Sequence, residues 1–433
     1  MRSTCPPIIL KAFHGTLLIG AIGLSAGRLQ ANWPAWRGAD ATGSQDTGHE
    51  LPTSWSPEDA TWSIELPGKG GSTPIVWEET IYMTSPIDNQ DGVMAIDIEN
   101  GAVLWKQTIG PLSPARHRTL GSSCNASPTT DGQRLYVAFR SGHIAALDFE
   151  GEVLWRHNLA EEFGPEELYW DAGSSPVVSG NTILFTRLHA GESWVAGYDK
   201  ITGERLWLTP RNFQVPAEND NGYTTPFVYD SPGGKAAFVW AADHLNAYRV
   251  ESGERLWEVS GFNPKEKGFW PAISSPVLVG STIVVPVGRD DRRMEASIHG
   301  LSLETRDASG NPKTVWTRED VGVFVPSLAA YEGRVYLLRH RGGIVCLDPR
   351  TGESVWEAEL PRERFSYYSS PTIANGVLYA AREDGTVFAM KVGEEFELLS
   401  ENPMGEPVIA SPVPVGDALL IRGDKNLFCF RAD

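Results

Sequence analysis

A Ser-Pro or Thr-Pro pair, or a near variant of it, returns eight times along this 433-residue chain, and no other feature narrows the fold as far. The prolines are Pro74, Pro128, Pro176, Pro226, Pro276, Pro326, Pro371 and Pro412, spaced by 54, 48, 50, 50, 50, 45 and 41 residues. Self-similarity at that period signals stacked supersecondary units. The residue before the proline is Thr73, Ser127, Ser175, Thr225, Ser275, Ser370 or Ser411 in seven units, and Val325 in the other. Small hydroxyl side chains at one repeated position suit strands that crowd around a common axis.

Each unit follows the anchor with an apolar strand, a turn, a strand such as "RLYVAF", a glycine turn, an "AALD"-like strand and a strand carrying tryptophan. Period-2 alternation bounded by DG, NG, SG and TG calls for four short antiparallel strands per unit. The tryptophans form a ladder: Trp105, Trp155, Trp207, Trp257, Trp316 and Trp356, with Phe396 as a seventh aromatic. The eighth unit stops before it supplies one. Its counterpart is Trp62, in "TWSIELP" ahead of the first anchor. A strand displaced in this way is what a ring needs when its last sheet is completed from the other end of the chain. The expected fold is therefore an all-β, eight-bladed propeller of four-stranded blades, closed by an N-terminal strand, with seven blades as the alternative. The tryptophans are expected to fill the space between blades.

Outside the repeat, residues 1–31 hold Arg2, Lys11 and Arg28, no acid, and an uncharged run from Thr16 to Ala26. This is the layout of a signal peptide cut after Ala31, the alternative being an uncleaved anchor. The expected division is 1–31 signal peptide, 32–60 a tryptophan-rich arm with Trp33, Trp36 and Trp55, and 61–433 the propeller, with a periplasmic or secreted location and no membrane span after signal removal. The arm cannot build its own core and is expected to dock on the propeller, over one channel mouth. A net charge of −18 argues against nucleic acid as a partner. Cys124, Cys346 and Cys429 form no CxxC or adjacent pair, so they read as buried small hydrophobes.

The units "GIVCLDPRTGESVWEAEL" and "HIAALDFEGEVLWRHNL" resemble the repeat of the pyrroloquinoline-quinone (PQQ) propeller superfamily, and the resemblance runs across residues 61–433. The chain looks most like exported members from planctomycetes and verrucomicrobia. Two kinds of relative imply different functions. Quinoprotein alcohol dehydrogenases hold PQQ beside calcium, with an adjacent-cysteine disulfide, a stacking Trp and an Asp base. The propeller subunit of the β-barrel assembly machinery uses the same repeat as a protein-binding scaffold without a cofactor. With no Cys-Cys pair here, the expected role is a scaffold for envelope or extracellular proteins, with no cofactor, no metal and no catalytic residue. The alternatives are a PQQ and Ca²⁺ dependent oxidoreductase, and a small-molecule or glycan binder.

Propeller ligands meet the loops around the channel, so the segments before each anchor are the place to seek a site. They supply Arg116, His117, Arg118 and Asn125 in "ARHRTLGSSCN", Trp170 and Asp171 in "YWD", then Tyr223, Trp270, Phe324, Tyr367 and Tyr368. The aromatics would form a ring of apolar faces with polar tips, and the Arg-His-Arg run an anion-recognising patch. "DNQDG" and "ENDNG" lack the spacing of a calcium loop and read as solvated turns. HExxH and P-loop patterns are absent.

Overall fold

The computed structural model describes Met1 and residues 32–117, 120–291 and 295–432. The compact unit Ala31–Asp433 holds every element below. The signal-peptide expectation and Arg118 lie outside the described residues.

Eight four-stranded antiparallel sheets make an eight-bladed propeller. Blade one is Ile75–Trp77, Thr80–Ile87, Gln90–Asp97 and Val103–Pro111, running from the axis outward, and each later blade repeats that order. Blade eight takes three strands from Val413–Val415, Ala418–Arg422 and Asn426–Arg431 and its outermost from Trp62–Glu65, with Trp62 opposite Cys429. The closure expected from the displaced "TWSIELP" is thus formed by main-chain pairing. The three cysteines are free and buried.

The tryptophan ladder joins neighbouring blades. The indole N–H groups of Trp62, Trp105, Trp155, Trp207, Trp316 and Trp356 donate to Ile98, Phe149, Lys200, Val250, Pro349 and Gly393, each a carbonyl in the outer turn of the following blade. That turn needs glycine twice over: Gly253 sits at φ +71°, and a Cβ there would lie 2.3 Å from the Trp207 ring. Trp257 is buried as well, but its indole N–H finds no acceptor. The next blade differs there: its strands Glu295–Arg306 and Pro312–Arg318 are longer, and its outer turn meets this strand through Asn311 Oδ1, which accepts the N–H of Glu258.

The hydroxyls before the anchors line up around the axis, and seven of the eight steps between blades are hydrogen-bonded. The N–H of Thr73 donates to Ser127 Oγ, Ser127 to Ser175, Ser175 to Thr225, Thr225 to Ser275, Ser275 to Ser327, Ser327 to Ser370, and Ser411 back to Thr73, all at 2.9–3.2 Å. Blade six therefore corrects the sequence alignment. Ser327, not Val325, takes the hydroxyl position, and Leu328 stands where the other blades have proline. Ser274 confirms the shift by donating to the carbonyl of Pro326.

The arm crosses one end of this channel. Trp33, fully buried, exchanges two main-chain bonds of 2.9 Å with Val76 in blade one, and the carbonyl of Pro34 accepts from Thr130 in blade two. The chain then passes to the far side, where the buried Arg37 guanidinium donates to the carbonyls of Leu328 and Pro371 in blades six and seven. Thr42, Gly43 and Gln45 add main-chain bonds to Ala330 and Ile373. Farther out Trp55 packs on Phe430 at 5.2 Å between ring centroids, and its N–H reaches Asn402 Oδ1.

The two acidic turns are not simply solvated. Asp91 of "DNQDG" is fully buried. Asn219 and Asn221 of "ENDNG" are buried and accept the N–H groups of Trp270 and Tyr169, which clamps neighbouring loops together.

Candidate functional site

The segments preceding the anchors gather at the channel end opposite the arm, because every innermost strand runs away from that end. They enclose a cavity of about 410 Å³. A second cavity of about 200 Å³ lies beyond the hydroxyl ring, lined by arm residues Pro34–Ala41. Trp36 lines both, so its side chain forms the floor between them. The channel is a cup, open at one mouth and stopped at the other by the protein's own N-terminal arm.

Of the expected site residues, the cup brings together His117, Asn125, Trp170, Asp171, Tyr223, Phe324 and Tyr368. Asp171 is a hub. Its carboxylate accepts the N–H groups of Arg116 and His117 at 2.9 Å and pairs with Arg140 Nε at 3.1 Å. It can come so close because a Cβ at Gly121 would lie 2.1 Å from Oδ2. The His117 ring packs on Trp170 at 5.0 Å, and its Nδ1 accepts the N–H of Leu120. Tyr223 Oη accepts the N–H of Trp170 at 2.9 Å, and burial pushes its phenol well above the ordinary tyrosine range.

Three expected residues go elsewhere. Arg116 spends its guanidinium on the carbonyls of Glu166 and Leu168, stapling two adjacent loops instead of facing the cup. Trp270 packs against the core between blades four and five and is not part of the cup wall. Tyr367 is 1% exposed in the core of blades six and seven, while its neighbour Tyr368 lines the cup.

The hairpins between second and third strands add residues that the search of the anchor segments passed over. Arg289 holds Asp291 in a bidentate pair, both bonds 2.6 Å, and lies 4.2 Å above the Phe324 ring. His340 is 5% exposed, its ring is 5.5 Å from that of Tyr368, and burial pushes its pKa down to about 4. The signal available was "GRDDRR" and "LRHRGG", charged runs interrupting apolar strands.

These carboxylates leave little for a metal. Asp171 and Asp291 are the cup's acids, and each is engaged by an arginine. Among the described residues no three of His, Cys, Asp and Glu come together as a metal set. The donor set does not fit a calcium-bound quinone.

Fold and channel define the class: an eight-bladed propeller built from the PQQ-like repeat, with a single open mouth. The chain belongs to the family described as outer membrane protein assembly factor BamB, whose model matches residues 53–259 and 191–432. It is similar to BamB of Yersinia pestis, 21% identical over 353 residues, covering 80% of each chain. It is also similar to the quinohemoprotein alcohol dehydrogenase of Comamonas testosteroni, 24% identical over 320 residues that span 71% of this chain and 36% of that one. The solved structure of BamB from Moraxella catarrhalis superposes with a TM-score of 0.61 at 14% identity, over 86% of this chain and 97% of the other. At that identity the superposition speaks for the fold.

Proposed function

We propose that this protein is a binding scaffold of the cell envelope, exported through its N-terminal segment, which engages protein partners with the open mouth of the channel. Membership of a family described by an outer-membrane assembly factor supports the setting. One observation carries the choice of surface. Among the described residues, the exposed large aromatics are Tyr169, Trp170 and Phe269, and all three stand in loops at this mouth. Exposed aromatics with a polar rim are the usual anchors of protein recognition. Phe269 is held out at φ +64° by its N–H to Ala217 and by Arg289 on its carbonyl, so it is presented in a fixed pose. The repeated tryptophans are consumed in blade packing.

The test is affinity capture from envelope extracts with the wild type and a Tyr169→Ser/Phe269→Ser variant. Loss of the captured proteins from the variant is expected; an unchanged set would sink the assignment of this face. Stoichiometric uptake of PQQ with Ca²⁺, accompanied by dye-linked alcohol oxidation, would replace the scaffold reading with an oxidoreductase.

A further inference from the structure

Below the rim, the cup has a chemistry of its own. Five aromatic side chains, Trp36, Trp170, Tyr223, Phe324 and Tyr368, stand around one volume of about 410 Å³, within the size range of small-molecule sites. Aromatic walls would suit an apolar ligand, a cation or a sugar, and the electrostatics separate these.

A cation would need uncompensated negative charge or open aromatic faces. The cup's carboxylates are instead neutralised where they stand, Asp171 by Arg140 and two main-chain N–H groups, Asp291 by both arms of Arg289. Arg289 also covers Phe324 and already occupies its face as a cation. An anion has no better claim. Arg140 and Arg289 are bound to their carboxylates, and the surrounding surface carries the chain's net −18.

A purely apolar ligand is disfavoured by what lies between the aromatics. Six members of the hydroxyl ring line the cup: Thr73, Ser175, Thr225, Ser327, Ser370 and Ser411. Five of them accept a main-chain N–H from the preceding blade, which leaves the hydroxyl proton to be donated. The His340 ring lines the same wall, buried and held neutral by that burial. Hydroxyl protons left without an acceptor favour a ligand that supplies one. A ligand that fills the cup must therefore be neutral, present a face to aromatic rings and carry many hydroxyl or carbonyl groups.

We propose that the cup binds one end of a neutral sugar chain, its pyranose C–H faces against Trp36, Trp170 and Tyr368 and its hydroxyls bonded to the Ser/Thr ring. Trp170 is 39% exposed and Tyr169 meets it edge to face at 4.6 Å, so the aromatic surface continues from the cup to the rim and accommodates a second sugar unit. The floor set by the arm allows entry from one end alone, which makes the site specific for chain ends.

The experiment is titration of the whole protein, by calorimetry and tryptophan fluorescence, with maltotriose, cellotriose and tri-N-acetylchitotriose, and in parallel with choline and a tryptophan-containing decapeptide. Saturable binding of at least one trisaccharide with a Kd below roughly 1 mM is expected, weakened about tenfold by Trp170→Ala or Tyr368→Ala, as loss of one aromatic contact implies. Phe269→Ser, outside the cup, should leave it unchanged. No binding of any of the three sugars by about 10 mM, affinity unaltered in Trp170→Ala, or tighter binding of choline or the peptide with loss in the same variants would each overturn the proposal. Envelope capture scored with Phe269→Ser alone, at a residue outside the sugar site, lets the two readings fail independently.

Discussion

The two ends of the channel are built from the same eight blades and reach opposite solutions. At the arm end, contact is made largely through the main chain: Trp33 with Val76, Pro34 with Thr130, Thr42 with Ala330, Gly43 and Gln45 with Ile373. Such bonds are indifferent to side chains, and they fix the arm in one register. At the open end the blades contribute side chains that differ from loop to loop, and the main chain serves to hold those side chains in place. The difference teaches that an eightfold repeat can be closed at one end by generic bonding and left free at the other to vary. With the proposed function, stability and recognition fall to separate ends.

That division can be broken experimentally. Deleting residues 32–54 removes Trp33, Leu51 and the Arg37 bridge, and should lower the apparent Tm by roughly 10 °C or more and open the chain to protease. An unchanged Tm would erase the distinction between the ends. Trp55→Ala, at a site 7% exposed, should cost about 3–5 kcal/mol in denaturant unfolding.

A pH profile tests the buried histidines. His299 and His340 are held neutral down to about pH 4 by burial, from an ordinary 6.5. Between these values the unfolded chain binds more protons than the native one, so stability falls as pH drops from 6.5 towards 4. Asp290, pushed up to about 6 by burial, is protonated earlier in the native state and works in the other direction over roughly pH 6 to 4. His299→Gln should flatten the acid side of the Tm curve, recovering on the order of 2–3 kcal/mol near pH 4; a curve parallel to wild type would remove His299 as a cause.

Ser275→Ala deletes one link of the axial ring and should cost about 1 kcal/mol, since the N–H of Thr225 loses its acceptor. Trp170→Ala is expected to shift stability by no more than about 0.5 kcal/mol while affecting binding. A large stability loss there would show that the mouth is structural after all.

The repeat made the fold legible because blade packing demands the same residues each time. The Trp indole must reach the next outer turn, and the small hydroxyl must fit the axis. In blade six the proline is a false guide for a physical reason: the recurring requirement is a hydroxyl acceptor, which Ser327 supplies, and proline merely follows it elsewhere. The cup was half legible. Tyr367 and Tyr368 are adjacent, yet one is buried in the core and the other lines the cup, and no pattern in a non-repeating loop says which side is inward. His340, Arg289 and Asp291 were invisible to a search confined to the anchor segments because they come from hairpins within the blades.

The pairing of Trp62–Glu65 with Asn426–Arg431 also governs when the molecule can finish folding. An early segment must remain without its partner until nearly the whole chain has emerged, and closing so long a loop is slow compared with forming any single blade. Blades one to seven can assemble in order of synthesis, yet the last sheet keeps an open edge until the end. The chain is most vulnerable to mispairing in that interval, while the last sheet's edge is still unpaired.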